Sequence, residues 1–268
     1  MLSERRRIFV LLEVKGLGVS LSSEASVVEN ISFQLHHGEM LSIVGSSGAG
    51  KTTICKAIMG LLGTAYRTSG EILFQQENLL GLPERKRWVI YGREICLIMQ
   101  NPMTAFNPSI RVGRQLEKTY LLHHGKTARQ EMQRQFSSIL QRLGLEDTQR
   151  ILNSYPFALS GGMLQRLMIA AALMCQPSLL VADEATTAID ACNRIGLMRE
   201  LKSFCKDGMS VLFVTHDLRS ASVSDRILVM DRGRIVEQGK TEQILNTPKE
   251  DYTKYLLNAC RLERREMS

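Results

Sequence analysis

Short apolar runs bounded by glycine and polar residues recur through the first hundred positions and again after Pro177, and the stretch between them follows a different period. Residues 8–14 and 31–35 predict two early strands, and 39–44 a third whose apolar end runs straight into a glycine-rich loop. Residues 51–62 read as a helix, and 70–75 and 94–100 as further strands. After Gln100 the composition turns to NPMTAFNPS, a turn-rich stretch where a boundary is expected. From about 111 to 176 the pattern is helical, with long polar and apolar periodicity over 129–143 and no convincing strand. Pro177 closes it, and 178–184, 210–216 and 225–231 return to short buried strands alternating with helices. No internal repeat or low-complexity segment interrupts the pattern. The expectation is one α/β domain over 1–268: a core from 1–99 and 178–240, a helical subdomain at 100–177 and a helical tail at 241–268.

Composition narrows the class. At 268 residues and 44% apolar content the chain can bury a full core. Its longest uninterrupted apolar run, 167–175, is nine residues, against roughly 20 for a membrane-spanning helix, so a soluble chain is expected. The N-terminal MLSERRRIFVLLEVKG sets arginines before an apolar patch at 8–12, too short for a signal-peptide core. The six cysteines, at 55, 96, 175, 192, 205 and 260, show no C-x-x-C spacing and mostly sit in apolar segments, the pattern of reduced structural thiols. A net charge of +7 raises nucleic acid or an anionic membrane surface as partners. The basic residues are scattered, however, with small clusters at Arg5–Arg7 and at Arg261, Arg264 and Arg265, and 6% aromatic content leaves few stacking platforms. A solvated basic surface and no nucleic acid partner are expected.

Three motifs carry chemistry. GSSGAGKTT (Gly45, Ser46, Ser47, Gly48, Ala49, Gly50, Lys51, Thr52, Thr53) fits G-x-x-x-x-G-K-[ST] between a predicted strand and a predicted helix. The glycines let the backbone wrap phosphates, Lys51 reaches the β and γ groups, and the Thr52 hydroxyl can ligate Mg²⁺. Asp183 and Glu184 end an apolar strand, where the first can hold Mg²⁺ and the second can polarise an attacking water. Gln100 and His216 end two other strands, and ligands of open α/β sheets bind beyond the carboxyl ends of strands. The third motif is LSGGMLQR at 159–166. Two glycines after a serine, ahead of a strongly helical run, describe a helix N-terminus with bare N–H groups, which binds anions. A chain that already owns a phosphate loop would offer this one to a nucleotide held by another subunit.

In this order the motifs resemble the ATP-binding subunits of ABC transporters over nearly the whole chain, which implies a P-loop NTPase (RecA-like) core with a mixed sheet and a helical signature subdomain. The resemblance makes 45–53 the Walker A loop and Gln100 the Q-loop glutamine. It makes Leu159, Ser160, Gly161, Gly162 and Met163 the signature, Asp183 and Glu184 the Walker B pair, 187–190 with Asp190 the D-loop, and His216 the switch histidine. It implies ATP and Mg²⁺ as cofactors, with Thr52, Gln100 and Asp183 toward the metal and Glu184, His216 and Gln100 in catalysis. In that family two nucleotide-binding domains form a head-to-tail sandwich, each signature closing on ATP at the other's Walker A.

Within the family, IMQNPMTAFNPS (98–109), YPFALSGGMLQRLMIAAAL (155–173) and GRIVEQG (233–239) are similar to the peptide and nickel import branch, and the middle block looks most like nickel-import subunits. The peptide importers usually carry a cysteine-rich C-terminal extension, whereas this sequence stops at Ser268 with only Cys260 there, which favours nickel. The implied partners are a second ATPase subunit, expected to be a paralogue, two membrane permease subunits and, indirectly, an extracytoplasmic solute-binding protein, which implies a peripheral place for this chain at the cytoplasmic face of the inner membrane. Peptide import, or a soluble ABC ATPase of repair, translation or cofactor assembly, are the alternatives. Leu21 stands where the family often has an aromatic residue stacking on adenine; Met163 replaces a frequent glutamine, and Ala185 and Ile189 a usual proline and leucine. The adjacent pairs His36/His37 and His123/His124 lack a ligand spacing, so no resident metal besides Mg²⁺ is expected.

Overall fold

A computed structural model describes residues 9–21, 25–125 and 129–266. In chain order it begins with β1 (Val10–Leu21), β2 (Ser26–His36), β3 (Met40–Val44), helix α1 (Lys51–Ile58), β4 (Tyr66–Phe74), the short β5 (Glu77–Asn78), α2 (Glu84–Ile90) and β6 (Ile95–Ile98). Helices α3 (Val112–His124), α4 (Arg129–Arg142), α5 (Thr148–Asn153) and α6 (Gly161–Met174) follow. The chain then runs through β7 (Leu179–Asp183), α7 (Ala191–Lys206), β8 (Ser210–Thr215), α8 (Leu218–Ala221), β9 (Arg226–Asp231), β10 (Arg234–Lys240), α9 (Thr241–Asn246) and α10 (Asp251–Glu266). The Arg5–Arg7 cluster and the side chains of Cys192, Arg261, Arg264 and Arg265 lie outside what the structure describes.

The strands form two sheets, of order β2-β1-β4-β5 and β10-β9-β3-β8-β7-β6. The first is antiparallel throughout. In the second, β9, β3, β8, β7 and β6 are parallel and β10 is an antiparallel edge. The mixed sheet is therefore present, and a separate antiparallel sheet stands beside it. β1 and β2 run well past the apolar runs at 8–14 and 31–35 because one face of each is only partly buried, so polar residues interrupt the apolar signal without interrupting the strand. α1 ends at Ile58 rather than 62, since Gly60 adopts φ +63°, the left-handed geometry that closes helices. β10 follows a tight hairpin at Arg232 and Gly233, both at positive φ, and neither it nor α2 is marked by a long apolar run.

The parallel strands are buried on both faces, and their period of two sorts them between two cores. Met40, Leu180, Ala182, Val211 and Phe213 face helices α3 to α7. Their alternates Leu41, Ile43, Leu179, Val181, Leu212 and Val214 face α1 and the antiparallel sheet. Each fully buried Val, Leu, Ile, Met or Phe among them contributes about 1.5–3 kcal/mol, so the sheet is a rigid platform. A third apolar cluster joins Val44, Ile227 and Val229 to α8, α9 and α10 through Leu218, Ile244, Tyr252 and Leu256. α6 is largely apolar and correspondingly buried at Leu164, Gln165 and from Leu167 to Ala170, with Arg166 only partly covered. Among the described residues no helix is long and apolar enough to cross a membrane.

Candidate nucleotide site

The phosphate loop, Gln100, the Asp183–Glu184 pair and His216 gather at the carboxyl ends of β3, β6, β7 and β8. β3 delivers the chain to Gly45, where a side chain is impossible: a Cβ would stand 2.2 Å from the Met230 carbonyl oxygen on β9. Gly48 and Gly50 take φ of +82° and +95°, which glycine adopts without strain. Gly50 then opens α1 with no side-chain cap, so first-turn N–H groups face the loop. Lys51 is 5% exposed, and its Nζ donates to the Gly45 and Ser46 carbonyls at 2.8 and 2.7 Å. Burial pulls its ammonium below the usual lysine value, opposed by the nearby Glu184 and Asp183 carboxylates. Residues 46–48 and 50–53 line a cavity of 640 Å³ together with Val27, Gln100, Glu184 and His216. Ala49 turns inward, its carbonyl accepting from Gly233 N–H at 3.1 Å.

Glu184 follows β7 and takes φ +48°, a left-handed conformation for a residue with a side chain, costing about 1–3 kcal/mol. Its N–H donates to the Val214 carbonyl at 2.8 Å, and its own carbonyl accepts from Thr187 N–H at 3.2 Å and Thr187 Oγ1 at 3.1 Å. The turn aims the carboxylate at two partners. Gln100 Nε2 donates to Oε2 at 3.0 Å, and His216 Nδ1 lies 3.0 Å from Oε1. Asp183 accepts from Thr52 Oγ1 at 3.2 Å. Burial raises the Asp183 carboxyl above the usual aspartate value, with Glu184 adding repulsion, although the Thr52 hydroxyl opposes it. A hydroxyl and an under-compensated carboxylate side by side are oxygen donors that a hard divalent cation satisfies, so the pair fits Mg²⁺. Gln100, expected at the metal, donates its amide nitrogen to Glu184, whereas a metal would take its carbonyl oxygen.

The signature stands outside this cavity. Ser160 and Gly161 are exposed at the start of α6. The helix end is not wholly bare, because Ser160 Oγ accepts from Met163 N–H at 3.3 Å as an N-cap. The N–H groups of Gly161 and Gly162 remain as first-turn donors with no intrahelical acceptor. Leu159 and Met163 pack partly buried against the helical core, and a Cβ on Gly162 would meet the Ala188 carbonyl at 3.3 Å, which places the signature against the D-loop. Asp190 caps α7 by accepting from Asn193 N–H at 3.0 Å. The replacements Ala185 and Ile189 are buried in the same core.

A link between these loops has only a faint sequence signal. Arg194 donates to the Ile189 carbonyl at 3.2 Å and to Asp217 Oδ2 at 3.1 Å, tying the D-loop to the residue after His216. Asp217 caps α8 through Arg219 N–H and Ser220 N–H; an aspartate ahead of a short helical run was the available hint. Elsewhere His36 Nδ1 contacts Glu39 at 2.8 Å, and His124 Nε2 lies 2.7 Å from the Met174 carbonyl. Half-buried Leu21 pairs across the strands with Tyr66 and does not line the cavity. A larger hollow of 740 Å³ opens at the far ends of β7 and β8, around 176–178 and 207–209, away from the phosphate loop.

The ABC transporter family matches residues 28–187. The metal-staphylopine import system ATP-binding protein of Staphylococcus aureus is 39% identical over 251 residues, 92% of either chain. The oligopeptide transport ATP-binding protein of Bacillus subtilis is 38% identical over 94% of this chain and 72% of its own. The dipeptide transport ATP-binding protein of Haemophilus influenzae is 40% identical over 93% and 77%. Among solved structures, the dimeric ATP-binding cassette MJ0796, in a post-hydrolysis state with ADP and phosphate, matches with a TM-score of 0.76 at 26% identity over 86% of this chain and 98% of its own. With the family match running over 45–53, Gln100, 159–163 and the Asp183–Glu184 pair, this chain belongs to the ABC transporter family as one of its ATP-binding subunits.

Proposed function

We propose that this chain hydrolyses ATP to drive import of nickel or a metal–chelator complex through a separate membrane permease. The observation that carries the ATPase reading is the meeting of Gln100 and His216 on the Glu184 carboxylate over the phosphate loop. The loop N–H groups and Lys51 hold the β- and γ-phosphates, Thr52 and Asp183 hold Mg²⁺ with Gln100 drawn toward it, Glu184 orients the attacking water and His216 senses the γ-phosphate. When bound, Mg²⁺ supplies positive charge to the phosphate oxygens. Leu159 to Met163 serve a nucleotide on a second ATPase subunit, a paralogue, with Asp190 at the junction; the exposure of Ser160 outside its own chain's cavity supports action in trans.

The 100–177 segment acts as the helical subdomain and, with the loop after Gln100, receives the permease at the cytoplasmic face of the membrane. Exposed Trp88, Met99 and Met103 and a groove of 300 Å³ between Cys96, Phe106 and Met168 support that surface. The extracytoplasmic binding protein acts only through the permease, and no nucleic acid takes part.

The metal-chelate reading is supported by the relative from Staphylococcus aureus, and peptide import by the oligopeptide and dipeptide relatives. The test is uptake of labelled Ni²⁺, with and without a chelating carrier, against labelled peptides, in cells carrying wild type or Glu184→Gln. Metal uptake is expected to collapse in the variant. Loss of peptide uptake alone would replace the cargo assignment, and recovery of the protein only with nucleic acid or ribosomes would remove the transport reading.

A further inference from the structure

The peptide unit between Gly45 and Ser46 is held on both of its polar ends. Its carbonyl accepts from Lys51 Nζ at 2.8 Å. Its N–H donates to the Tyr252 hydroxyl at 3.1 Å, across 206 positions of sequence. Because a peptide is planar with its C=O and N–H on opposite edges, the two bonds lie on opposite sides of the loop strand. The two braces differ in kind: Lys51 holds the Gly45 and Ser46 carbonyls with two of its three ammonium hydrogens and keeps the third for phosphate, whereas Tyr252 belongs to α10 and does not line the cavity.

α10 is itself firmly placed. The Glu237 carboxylate on β10 accepts from Lys249 N–H at 2.8 Å and Glu250 N–H at 3.2 Å, which anchors the approach to the helix. Thr253 is fully buried, and the Tyr252 ring packs into the cluster containing Val44, the residue before Gly45. A second brace reaches the loop from the same part of the chain, as Gly233 N–H donates to the Ala49 carbonyl at 3.1 Å.

We propose that Tyr252 is a positioning residue of the nucleotide site, its hydroxyl holding the Gly45–Ser46 peptide plane on the edge opposite the one that Lys51 holds. This rests on the ATP-binding reading of the loop. The hydroxyl acts by pre-organisation: without it, the outer turn of the loop must be ordered at the moment ATP binds.

The test compares wild type and Tyr252→Phe, which keeps the ring and removes the hydroxyl. A fluorescent ATP analogue and ATP titrations give Kd and KM, hydrogen exchange reads the Ser46 amide, and thermal melting of the nucleotide-free subunit reports the fold. Loss of one hydrogen bond predicts a three- to tenfold rise in Kd and KM, about the factor that a single net hydrogen bond carries. Turnover at saturating ATP should fall by less than that factor, exchange at Ser46 should speed up, and the melting temperature should drop by no more than about 2–4 °C, the amount that one hydrogen bond carries. Unchanged Kd and exchange would overturn the proposal, as would a Kd rise that merely tracks a lowered melting temperature. Failure of the wild-type subunit to bind ATP would instead overturn the reading of the site.

Discussion

Glu184 and His216 meet at 3.0 Å, Oε1 to Nδ1, although each stands one residue beyond the end of a different strand. β7 and β8 are parallel neighbours, with Asp183 opposite Val214, so the register alone would set Glu184 beside Thr215, with His216 one residue further and on the other face. The positive φ of Glu184 and the bond from its N–H to the Val214 carbonyl turn its carboxylate toward the ring. Strain at this residue is thus exchanged for a fixed carboxylate, with Gln100 holding the other oxygen at 3.0 Å.

The first prediction follows from that carboxylate. Glu184→Gln keeps the shape and the bond from Gln100, turns the oxygen facing His216 into a donor nitrogen, and removes the charge proposed to orient water. Hydrolysis should fall by about 10²–10⁴, the range of a positioned general base, while ATP binding by the isolated subunit stays within a few fold. Phosphate-release assays and nucleotide titration check it. Hydrolysis within tenfold of wild type would show that another group orients the water.

Ser160 separates action in trans from local stability. Ser160→Arg should leave ATP binding by the isolated subunit intact and abolish hydrolysis by the assembled pair, because the added side chain occupies the space between subunits. The N-cap role gives an independent control: Ser160→Ala loses the bond to Met163 N–H, at a cost of about 1 kcal/mol, or about 2–4 °C in melting temperature. Loss of ATP binding by the isolated Ser160→Arg subunit would argue that the signature acts within its own chain.

Asp183 makes a prediction about stability. Burial raises its carboxyl above the usual value, so the folded chain disfavours its ionised form. The penalty is absent below the unfolded-state pKa and is fully felt once pH has risen through the folded value. At neutral pH the nucleotide-free Asp183→Asn subunit should therefore melt higher than wild type. On adding ATP and Mg²⁺ the order should narrow or reverse, because only the carboxylate gains the cation. Melting curves with and without Mg²⁺ decide, and an unliganded variant that melts lower would show that the Thr52 bond outweighs burial.

How much of this was legible in the sequence depends on how local each feature is. The phosphate loop, the Asp183–Glu184 pair and the signature are contiguous words, and short buried strands point to where Gln100 and His216 end up. The left-handed turn at Glu184 has no glycine to announce it. The Gln100–Glu184–His216 cluster depends on the strand order β8-β7-β6, which no single segment encodes. Tyr252 looks like an ordinary aromatic in an amphipathic tail, and only the packing of α10 against the end of β3 brings it to Ser46. The half-buried alternation in β1 and β2 hid the extent of those strands for a related reason: burial on one face alone weakens the apolar signal.

Asp217 gives the clearest dependence on pH. Burial would raise its carboxyl, but the Ser220 hydroxyl, the Arg219 N–H and the Arg194 guanidinium outweigh it and hold the group below the ordinary aspartate value. The ionised form is therefore favoured by folding. Its contribution is complete above the unfolded-state pKa of about 3.9 and is lost as pH falls through the lower folded value. Asp217→Asn keeps an oxygen to cap α8 but loses the charge facing Arg194. Wild type should be more stable than the variant from neutral pH down to about 4, and the gap should close below that. The same substitution should slow hydrolysis without weakening ATP binding, since Arg194 also holds the Ile189 carbonyl of the D-loop and Asp217 adjoins His216. Denaturant melts across pH, alongside turnover and nucleotide affinity, test both halves. A gap that stays constant to pH 2 would mean that Asp217 acts through shape rather than charge.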